Sequence, residues 1–282
     1  MGGWIIQSMS STQADKALRF QSLHQRKNPL LIPNPWDIGS ARILAHLGFE
    51  AFATSSAASA AALGRRDGNI TRDEAIAHAR AIVSATDLPV SADLENGFSH
   101  EPSAVAETIL LASRTGLVGA SIEDSTGNKD KPLYDIGHAT ERITAAAEAA
   151  RSLPFPFTLT ARSENFRCGK ANLDDTIQRL VAYEKAGADV LFAPALPDLA
   201  AVRAVCAAVS KPVNFMVGIK GKSFTVAELT EAGVKRISFA SSFYRAAMTG
   251  LANAAREVKQ SGTFGYLDHC LTSQEMNRFL PE

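Results

Sequence analysis

Two short acidic clusters are the residues of this chain best suited to carry chemistry. Asp93-Leu94-Glu95 and Glu123-Asp124 directly follow the apolar runs 88–92 and 117–122. If both runs are buried parallel strands, their carboxyl ends point the same way and bring the acids to one end of the molecule. Two like charges about 4 Å apart repel by roughly 4 kcal/mol at an effective dielectric near 20, so a bound divalent cation or a raised pKa is expected. The pattern therefore indicates a metal site.

Polar residues also follow most of the other apolar runs that could be strands. They include Trp36, Ser55, Ser56 and Arg162, and Asn214 lies near the start of a further run. The acids among these strand ends offer oxygen ligands and no histidine accompanies them, which favours Mg²⁺ or Mn²⁺ over Zn²⁺.

Single polar residues at these strand ends have simpler interpretations as well. An isolated acid such as Asp37 or Glu164 is as often the N-cap of the following helix. Arg162 either neutralises the acids or binds a substrate carboxylate through two parallel hydrogen bonds, and one guanidinium can do both.

The elements that would position these residues alternate in type along the chain. β-rich apolar runs alternate with Ala-rich helical patterns from about residue 30 to residue 260, and no linker separates them. We place strands at residues 29–33, 51–54, 90–92, 119–122, 157–160, 190–192, 213–215 and 237–239. The fold predicted for residues 16–282 is a single α/β domain, a (β/α)8 TIM-type barrel, after an irregular tail at residues 1–15. An open doubly wound sheet is the alternative, disfavoured because no Gly-x-Gly-x-x-Gly follows a strand.

The chain carries more helix after the eighth strand than a barrel needs for closure. Residues 242–260 and 266–280 have helical patterns with apolar side chains, among them Phe264, Leu267 and Met276. These side chains need an apolar surface to cover, either on their own barrel or on a neighbouring subunit.

Composition narrows the class of partner. The 29 basic and 29 acidic residues cancel, so no global field draws the chain to nucleic acid or to an anionic membrane. We expect a small-molecule partner. The three cysteines are far apart without Cys-x-x-Cys spacing, and the N-terminus has neither a signal-peptide nor a membrane-span pattern, so a reducing cytoplasm is the expected location.

Several segments, taken in order, resemble the isocitrate lyase/phosphoenolpyruvate mutase family over about residues 30–245. They include Asn34-Pro35-Trp36-Asp37, Thr54-Ser55-Ser56-Ala57, Leu63-Gly64-Arg65-Arg66-Asp67-Gly68, Ala92-Asp93-Leu94-Glu95-Asn96-Gly97, Ile122-Glu123-Asp124 and Ala161-Arg162. The resemblance implies a (β/α)8 barrel whose last helix is exchanged between subunits, hence a homo-oligomer, with dimer or tetramer left open. It also implies Mg²⁺ held largely through water, and substrates that are 2-oxo acids or release one.

The resemblance also implies roles for individual residues. It places Asp67, Asp93, Glu95 and Glu123 in the Mg²⁺ shell. Our hypothesis is that Asp93 ligates the ion directly and the other three orient waters. It implies that Ser55, Ser56 and Ala57 hold the oxo-acid carboxylate and that Arg162 binds the substrate. Our candidate catalytic residues are Arg162, Glu123 and Asp67, and Trp36 and Asn214 are further candidates for substrate contact.

The chain departs from the family pattern in two loops. Family lyases carry Lys-Lys-Cys-Gly-His after strand 4, whereas residues 125–132 here read Ser-Thr-Gly-Asn-Lys-Asp-Lys-Pro. The Glu that those lyases have after strand 6 is replaced by Ala193-Pro194. We therefore predict that the protein is neither an isocitrate lyase nor a methylisocitrate lyase. Asn128 loosely matches the gating loop of the mutases.

The functional hypothesis is a Mg²⁺-dependent lyase that cleaves a C–C bond, or decarboxylates, in a small 2-oxo or 2-hydroxy acid. Bond breaking at C3 would leave an enolate whose charge the ion stabilises, while residues 125–137 close over the substrate. Cleavage or rearrangement of a P–C bond in a phosphonopyruvate-type substrate is one alternative. A non-catalytic protein that binds a 2-oxo acid is the alternative of another class.

Overall fold

The eight strands form one parallel sheet that curls into a barrel. The computed structural model describes residues 11–280. The strands are β1 (Leu30–Ile32), β2 (Phe52–Ala53), β3 (Val90–Asp93), β4 (Gly119–Glu123), β5 (Thr158–Arg162), β6 (Val190–Phe192), β7 (Val213–Met216) and β8 (Arg236–Ser238). They pair in the order β1-β8-β7-β6-β5-β4-β3-β2, and the backbone N–H of Ala53 donates to the carbonyl of Pro33 at 3.1 Å where the ends of the sheet meet. The predicted (β/α)8 barrel is confirmed, and each predicted strand overlaps an observed one.

Helices surround this barrel and connect its strands. They are α1 (Gln13–Leu23), α2 (Ile38–His46), α3 (Ser56–Ala62), α4 (Arg72–Ser84), α5 (Pro102–Ser113), α6 (Ile136–Arg151), α7 (Leu173–Lys185), α8 (Leu199–Ala208), α9 (Val226–Glu231), α10 (Ser242–Ser261) and α11 (Ser273–Asn277). A 3-10 helix spans Gly265–His269 between the last two. Within residues 11–280, no helix combines the length and hydropathy that crossing a bilayer requires.

Helix α1 closes the end of the barrel where the strands begin. Its buried Ala17, Phe20 and Leu23 belong to a core cluster with Leu30 and Val118 of the barrel. The helix begins inside the stretch 1–15 that we expected to be an irregular tail, because Thr12 and Asp15 form a capping box at its first turn. Residues 1–10 of that tail lie outside the described residues.

Successive side chains of a strand point to opposite faces of the barrel wall. Ile122 and Leu159 pack outward in the main core cluster between barrel and helices. Ser121 and Thr160 alternate with them, face inward and line a cavity inside the barrel. The barrel interior is therefore polar near the carboxyl ends of the strands, where the acidic clusters lie.

The C-terminal extension leaves most of its large apolar side chains exposed. None of the residues of α10, the 3-10 helix or α11 is buried. The exposed apolar residues are Leu251, Val258, Phe264, Leu267, Leu271, Met276 and Leu280. Of the two surfaces expected for them, the barrel of the same chain does not bury them.

Candidate active site

Two adjoining cavities open at the carboxyl ends of the strands. The larger has a volume of about 720 Å³ and lies under the loops after β3, β4 and β5. The smaller, of about 70 Å³, reaches into the barrel interior. Both are lined by Ser56, Asp67, Arg162 and Arg167, so these four residues stand where the two spaces meet.

Arg162, the last residue of β5, is the centre of the charge cluster. Its Nη1 lies 3.4 Å from Glu123 Oε2 and 3.8 Å from Asp93 Oδ2, while its Nε donates to Glu164 Oε1. The guanidinium carbon lies 5.0 Å from the centre of the Phe192 ring. Although burial opposes the charge, the carboxylates of Glu164, Glu123 and Asp93 raise the pKa of Arg162. The arginine therefore holds three acids from three strand ends around one point.

Asp93, the last residue of β3, connects the charge cluster to the start of α3. Its Oδ2 accepts hydrogen bonds from the backbone N–H of Ser56 at 3.2 Å and from Ser56 Oγ at 3.1 Å. Ser56 Oγ also lies 3.0 Å from Asp67 Oδ1, and Asp67 Oδ2 lies 3.8 Å from Arg167 Nη2. The Asp93 N–H donates to Thr54 Oγ1. Three of the predicted site residues, Ser56, Asp67 and Asp93, are thus in direct contact.

Glu95 occupies a strained position in the loop after β3. Its φ is +48°, in the left-handed region that non-glycine residues seldom adopt. Its Oε1 is buried without a hydrogen-bond partner among the described residues. Burial, with the charges of Asp93 and Asp67, raises the pKa of Glu95 to about 7 against the opposing effect of Arg162. A buried carboxylate oxygen with no partner, facing the larger cavity, is a position where a cation or a proton is needed.

Glu123 also carries a perturbed carboxyl group. Burial raises its pKa well above the ordinary value, as do the nearby charges of Glu164, Asp93 and Glu95, while Arg162 opposes them. Glu123 and Glu95 are further joined through the backbone, because the Glu123 N–H donates to the Glu95 carbonyl at 2.9 Å. Perturbed carboxyl groups gathered at one cavity are typical of functional sites.

Asp124 faces away from this cluster although it follows Glu123 directly. Its Oδ2 accepts from Tyr183 Oη at 2.6 Å and from Arg179 Nη1 at 3.1 Å, and its Oδ1 accepts from the Glu164 N–H at 2.8 Å. Asp124 therefore fastens α7 to the barrel wall, and only one acid of the Glu123-Asp124 pair reaches the cavities.

Two charged residues of the site, Glu164 and Arg167, were not assigned a role in it from the sequence. Glu164 was left open between a helix cap and a site residue; α7 is capped by Asn172, and Glu164 bridges Arg162 and Arg167, whose Nε lies 3.4 Å from Glu164 Oε2. The sequence feature that could have revealed Glu164 is the run Arg-Ser-Glu at the end of a strand. Asp37, by contrast, is a cap: its Oδ1 accepts from the Ser40 N–H at 2.7 Å.

The remaining predicted residues divide into two groups. Ser55, Ala57 and Asn214 line the smaller cavity. Trp36 lines neither cavity within the described part of the chain, and its ring meets Tyr244 edge-on at 5.5 Å. The loop after β4 folds back on itself through a bridge between residues 125 and 133, and its residues 125–127 form part of the wall of the larger cavity.

The carboxylates fit a magnesium ion that keeps most of its waters. No three His, Cys, Asp or Glu side chains within residues 11–280 converge tightly enough to form a ready ligand cage. Mg²⁺ is commonly held by only one or two carboxylates while it retains several waters. Asp93 in the wall of the smaller cavity and Glu95, whose Oε1 has no described partner, in the wall of the larger one supply oxygen atoms of that kind.

Comparison with known proteins agrees with the geometry. Residues 20–259 match the family model of phosphoenolpyruvate phosphomutase. A crystal structure of a candidate lyase/mutase from Burkholderia cenocepacia J2315 is 50% identical, covers 95% of this chain and 96% of its own, and superposes with a TM-score of 0.93. That of 2,3-dimethylmalate lyase is 28% identical, covers 94% of each chain and has a TM-score of 0.83. The 2-methylisocitrate lyase of Escherichia coli (strain K12) is 28% identical over 86% of this chain and 84% of its own. This chain therefore belongs to the phosphoenolpyruvate phosphomutase family, within the isocitrate lyase/PEP mutase superfamily of lyases and mutases.

Proposed function

We propose that the protein is a Mg²⁺-dependent lyase that cleaves a C–C bond, or decarboxylates, in a small 2-oxo or 2-hydroxy carboxylic acid. The observation that supports this most directly is the contact of Arg162 with Asp93 and Glu123 where the two cavities meet. One guanidinium beside several carboxylates provides a place for a substrate anion next to a place for a cation. The superfamily to which the chain belongs consists of lyases and mutases.

Each side chain has a distinct part in this proposal. Asp93 would hold the ion directly, and Asp67, Glu95 and Glu123 would orient its waters by accepting their hydrogen bonds. When bound, Mg²⁺ would supply positive charge beside the substrate oxygens on which negative charge develops.

The substrate itself would be held by the chain. Arg162 would bind one carboxylate where the two cavities meet, together with Ser55, Ser56 and Ala57, and Asn214 would contact the part of the molecule that enters the smaller cavity. The loop of residues 125–137 would exclude water from the larger cavity once the substrate is bound.

P–C bond cleavage or rearrangement is the second candidate. The name of the family model favours it. The position of Asn128 does not, because the described lining of the larger cavity includes its neighbours Thr126 and Gly127 but not Asn128 itself. We therefore rank C–C cleavage first.

A substrate panel tests the proposal. The protein is incubated with Mg²⁺ and oxaloacetate, 2,3-dimethylmalate, 2-methylisocitrate or phosphonopyruvate, and the release of pyruvate and of oxalate is followed against a blank without protein. Phosphonopyruvate is also monitored by phosphorus NMR. Pyruvate or oxalate from oxaloacetate, or pyruvate from dimethylmalate, lost in Asp93→Asn, supports the proposal.

Other outcomes of the panel contradict parts of it. Turnover of 2-methylisocitrate would overturn the prediction that the chain is not a methylisocitrate lyase, which its 28% identity to such an enzyme leaves open. Tight binding of an acid with no product from any compound would favour the non-catalytic binder. Turnover of phosphonopyruvate alone would favour the mutase or hydrolase.

A further inference from the structure

A second positive charge lies deeper in the barrel, below the acids that surround Arg162. It belongs to Arg236, the first residue of β8, which is only 4% exposed. Its side chain points into the barrel and lines the smaller cavity. No proposed step of the reaction uses this residue.

The guanidinium of Arg236 is poorly satisfied for a buried charge. Its Nη1 donates to Thr160 Oγ1 at 3.1 Å, and its Nε is buried without a hydrogen-bond partner among the described residues. Within residues 11–280 no carboxylate forms an ion pair with it; burial lowers the pKa of Arg236, and only the charge of Asp93, on the same cavity, opposes this. On the opposite side lie the ring of Phe20, 6.0 Å from the guanidinium carbon, and the buried His24, whose lowered pKa of about 4 keeps it neutral. A buried charge in such surroundings is costly unless an anion or water accompanies it.

Asn214 lies beside Arg236 and is also incompletely satisfied. The two residues are partners in the β7–β8 register, and Asn214 is 2% exposed. Its Nδ2 donates to Ser238 Oγ at 3.0 Å, while its Oδ1 has no described partner. Since Ser238 Oγ can either accept or donate, the amide can also turn and present Nδ2 to the cavity as a donor. Two unpartnered buried groups therefore line one small cavity.

The cavity has a suitable size and position for an anionic group. Its volume of about 70 Å³ corresponds to about two waters at ~30 Å³ each, which is also roughly the space of one carboxylate. Asp93 and Arg162 line the same cavity. Arg162 and Arg236 thus line one space, which a small molecule held at Arg162 adjoins.

We propose that Arg236 binds a second carboxylate of the substrate, with its guanidinium N–H groups and the Asn214 amide as donors. This inference rests on the proposed function, because it concerns which acids that site accepts. Arginine suits this role because its planar guanidinium can donate two parallel hydrogen bonds to a carboxylate and remains charged when buried. The site would then prefer a dicarboxylic acid to a monocarboxylic acid of the same length.

Two acids that differ only in the second carboxylate provide the test. Malate and 2-hydroxybutyrate have the same four-carbon chain and the same 2-hydroxy acid end. Their affinities are measured by titration calorimetry in the presence of Mg²⁺ for the wild type, Arg236→Met and Arg236→Lys. Replacing an incompletely paired buried charge by an apolar side chain of similar length is often neutral for stability, and circular dichroism melting checks each variant.

The expected result is selective. The wild type should bind malate at least tenfold more tightly than 2-hydroxybutyrate. Arg236→Met should bind malate at least tenfold more weakly than the wild type, while its affinity for 2-hydroxybutyrate should change by less than twofold. Arg236→Lys should bind malate more tightly than Arg236→Met but less tightly than the wild type.

Three outcomes would overturn the subsite. The first is equal affinity of the wild type for the two acids. The second is unchanged malate affinity in Arg236→Met, which would mean that water fills the cavity. The third is an equal loss of affinity for both acids in that variant, which would give Arg236 a structural role in the barrel. Turnover of a 2-oxo acid together with any of these would leave the proposed function standing. Selective malate binding without turnover of any panel compound would support the subsite and refute the proposed lyase activity.

Discussion

Glu123 and Asp124 are neighbours in the chain, but their carboxylates lie on opposite faces of the barrel wall. Glu123 Oε2 lies 3.4 Å from Arg162 at the cavities, whereas Asp124 Oδ2 accepts from Tyr183 and Arg179 of helix α7. The cause is the twofold alternation of side chains along an extended strand. A pair that looks like one acidic cluster in the sequence therefore has two separate uses, which mutation can tell apart.

Asp124→Ala should affect stability more than function. It removes the acceptor of the buried Tyr183 hydroxyl and one of the two carboxylates that pair with Arg179, and breaking a buried ion pair costs about 3–5 kcal/mol. Urea unfolding measures the decrease in the free energy of unfolding. Glu123→Gln should cost less stability than Asp124→Ala, because it keeps the size of the side chain and removes a charge that burial and the neighbouring acids oppose, as the raised pKa of Glu123 reflects. Mg²⁺ affinity or activity should fall about 10–100-fold in this variant. A large loss of stability in Glu123→Gln, or a large loss of Mg²⁺ affinity in a still folded Asp124→Ala, would contradict this division of roles.

Asp93→Asn should abolish Mg²⁺ binding and turnover together. The amide keeps the size of the side chain but loses the negative charge that we propose holds the ion directly. Mn²⁺ binding followed by electron paramagnetic resonance and a turnover assay measure the two losses. Asp37→Asn is the matched control, because Asp37 caps α2 and asparagine caps a helix about equally well. Wild-type metal affinity in Asp93→Asn would refute the assignment.

Mg²⁺ affinity should depend on pH through Glu95. Its pKa is raised to about 7, so below that pH the ion must displace a proton, and affinity should fall about tenfold per pH unit. Calorimetric titrations at pH 6, 7 and 8 measure the slope. Glu95→Gln should bind Mg²⁺ more weakly with a flatter pH dependence, and an unchanged slope in that variant would show that another group titrates.

The same raised pKa has an effect on stability with a defined sign. Between about 4.5, the ordinary value, and about 7, the folded metal-free protein keeps a proton that the unfolded chain has released. The free energy of unfolding should therefore fall as the pH rises through this window. Urea midpoints of metal-free wild type and Glu95→Gln at pH 5 and pH 7 make the comparison, and the contribution of Glu95 should be missing in the variant.

The exposed apolar residues of the C-terminal extension predict association between chains. Leu251 is 63% exposed on α10, and Leu267 on the 3-10 helix is 58% exposed. Leu251→Glu and Leu267→Glu should shift the protein to smaller assemblies, as measured by sedimentation velocity. Lys259→Glu on α10 is the control for added negative charge. A wild-type monomer at micromolar concentration would contradict the expected homo-oligomer.

Part of the active site could be located from sequence because strand ends are local features. The apolar runs before Asp93 and Glu123 and the position of Arg162 after β5 were readable without coordinates, and a parallel barrel gathers such ends at one face. The resemblance added Asp67, which no strand pattern marks. Its position beside Ser56 follows from the loop between α3 and α4.

Other parts could not be predicted, because charge pairing inside a barrel depends on its closure. The sequence does not distinguish Asp37, a helix cap, from Glu164, which bridges two arginines, since each is an acid after an apolar run. Trp36 follows a strand in the same way and lies outside both cavities.

The sequence by itself determined the alternation of strands and helices, the order of the strands and the end of the barrel where the acids lie. The reason is that the spacing of apolar residues and the direction of a strand are properties of short segments. The tertiary structure decided which charges meet. Arg162 pairs with acids from separate strands, while no acid of residues 11–280 forms an ion pair with Arg236, because the closed barrel sets the distances between residues far apart in the chain.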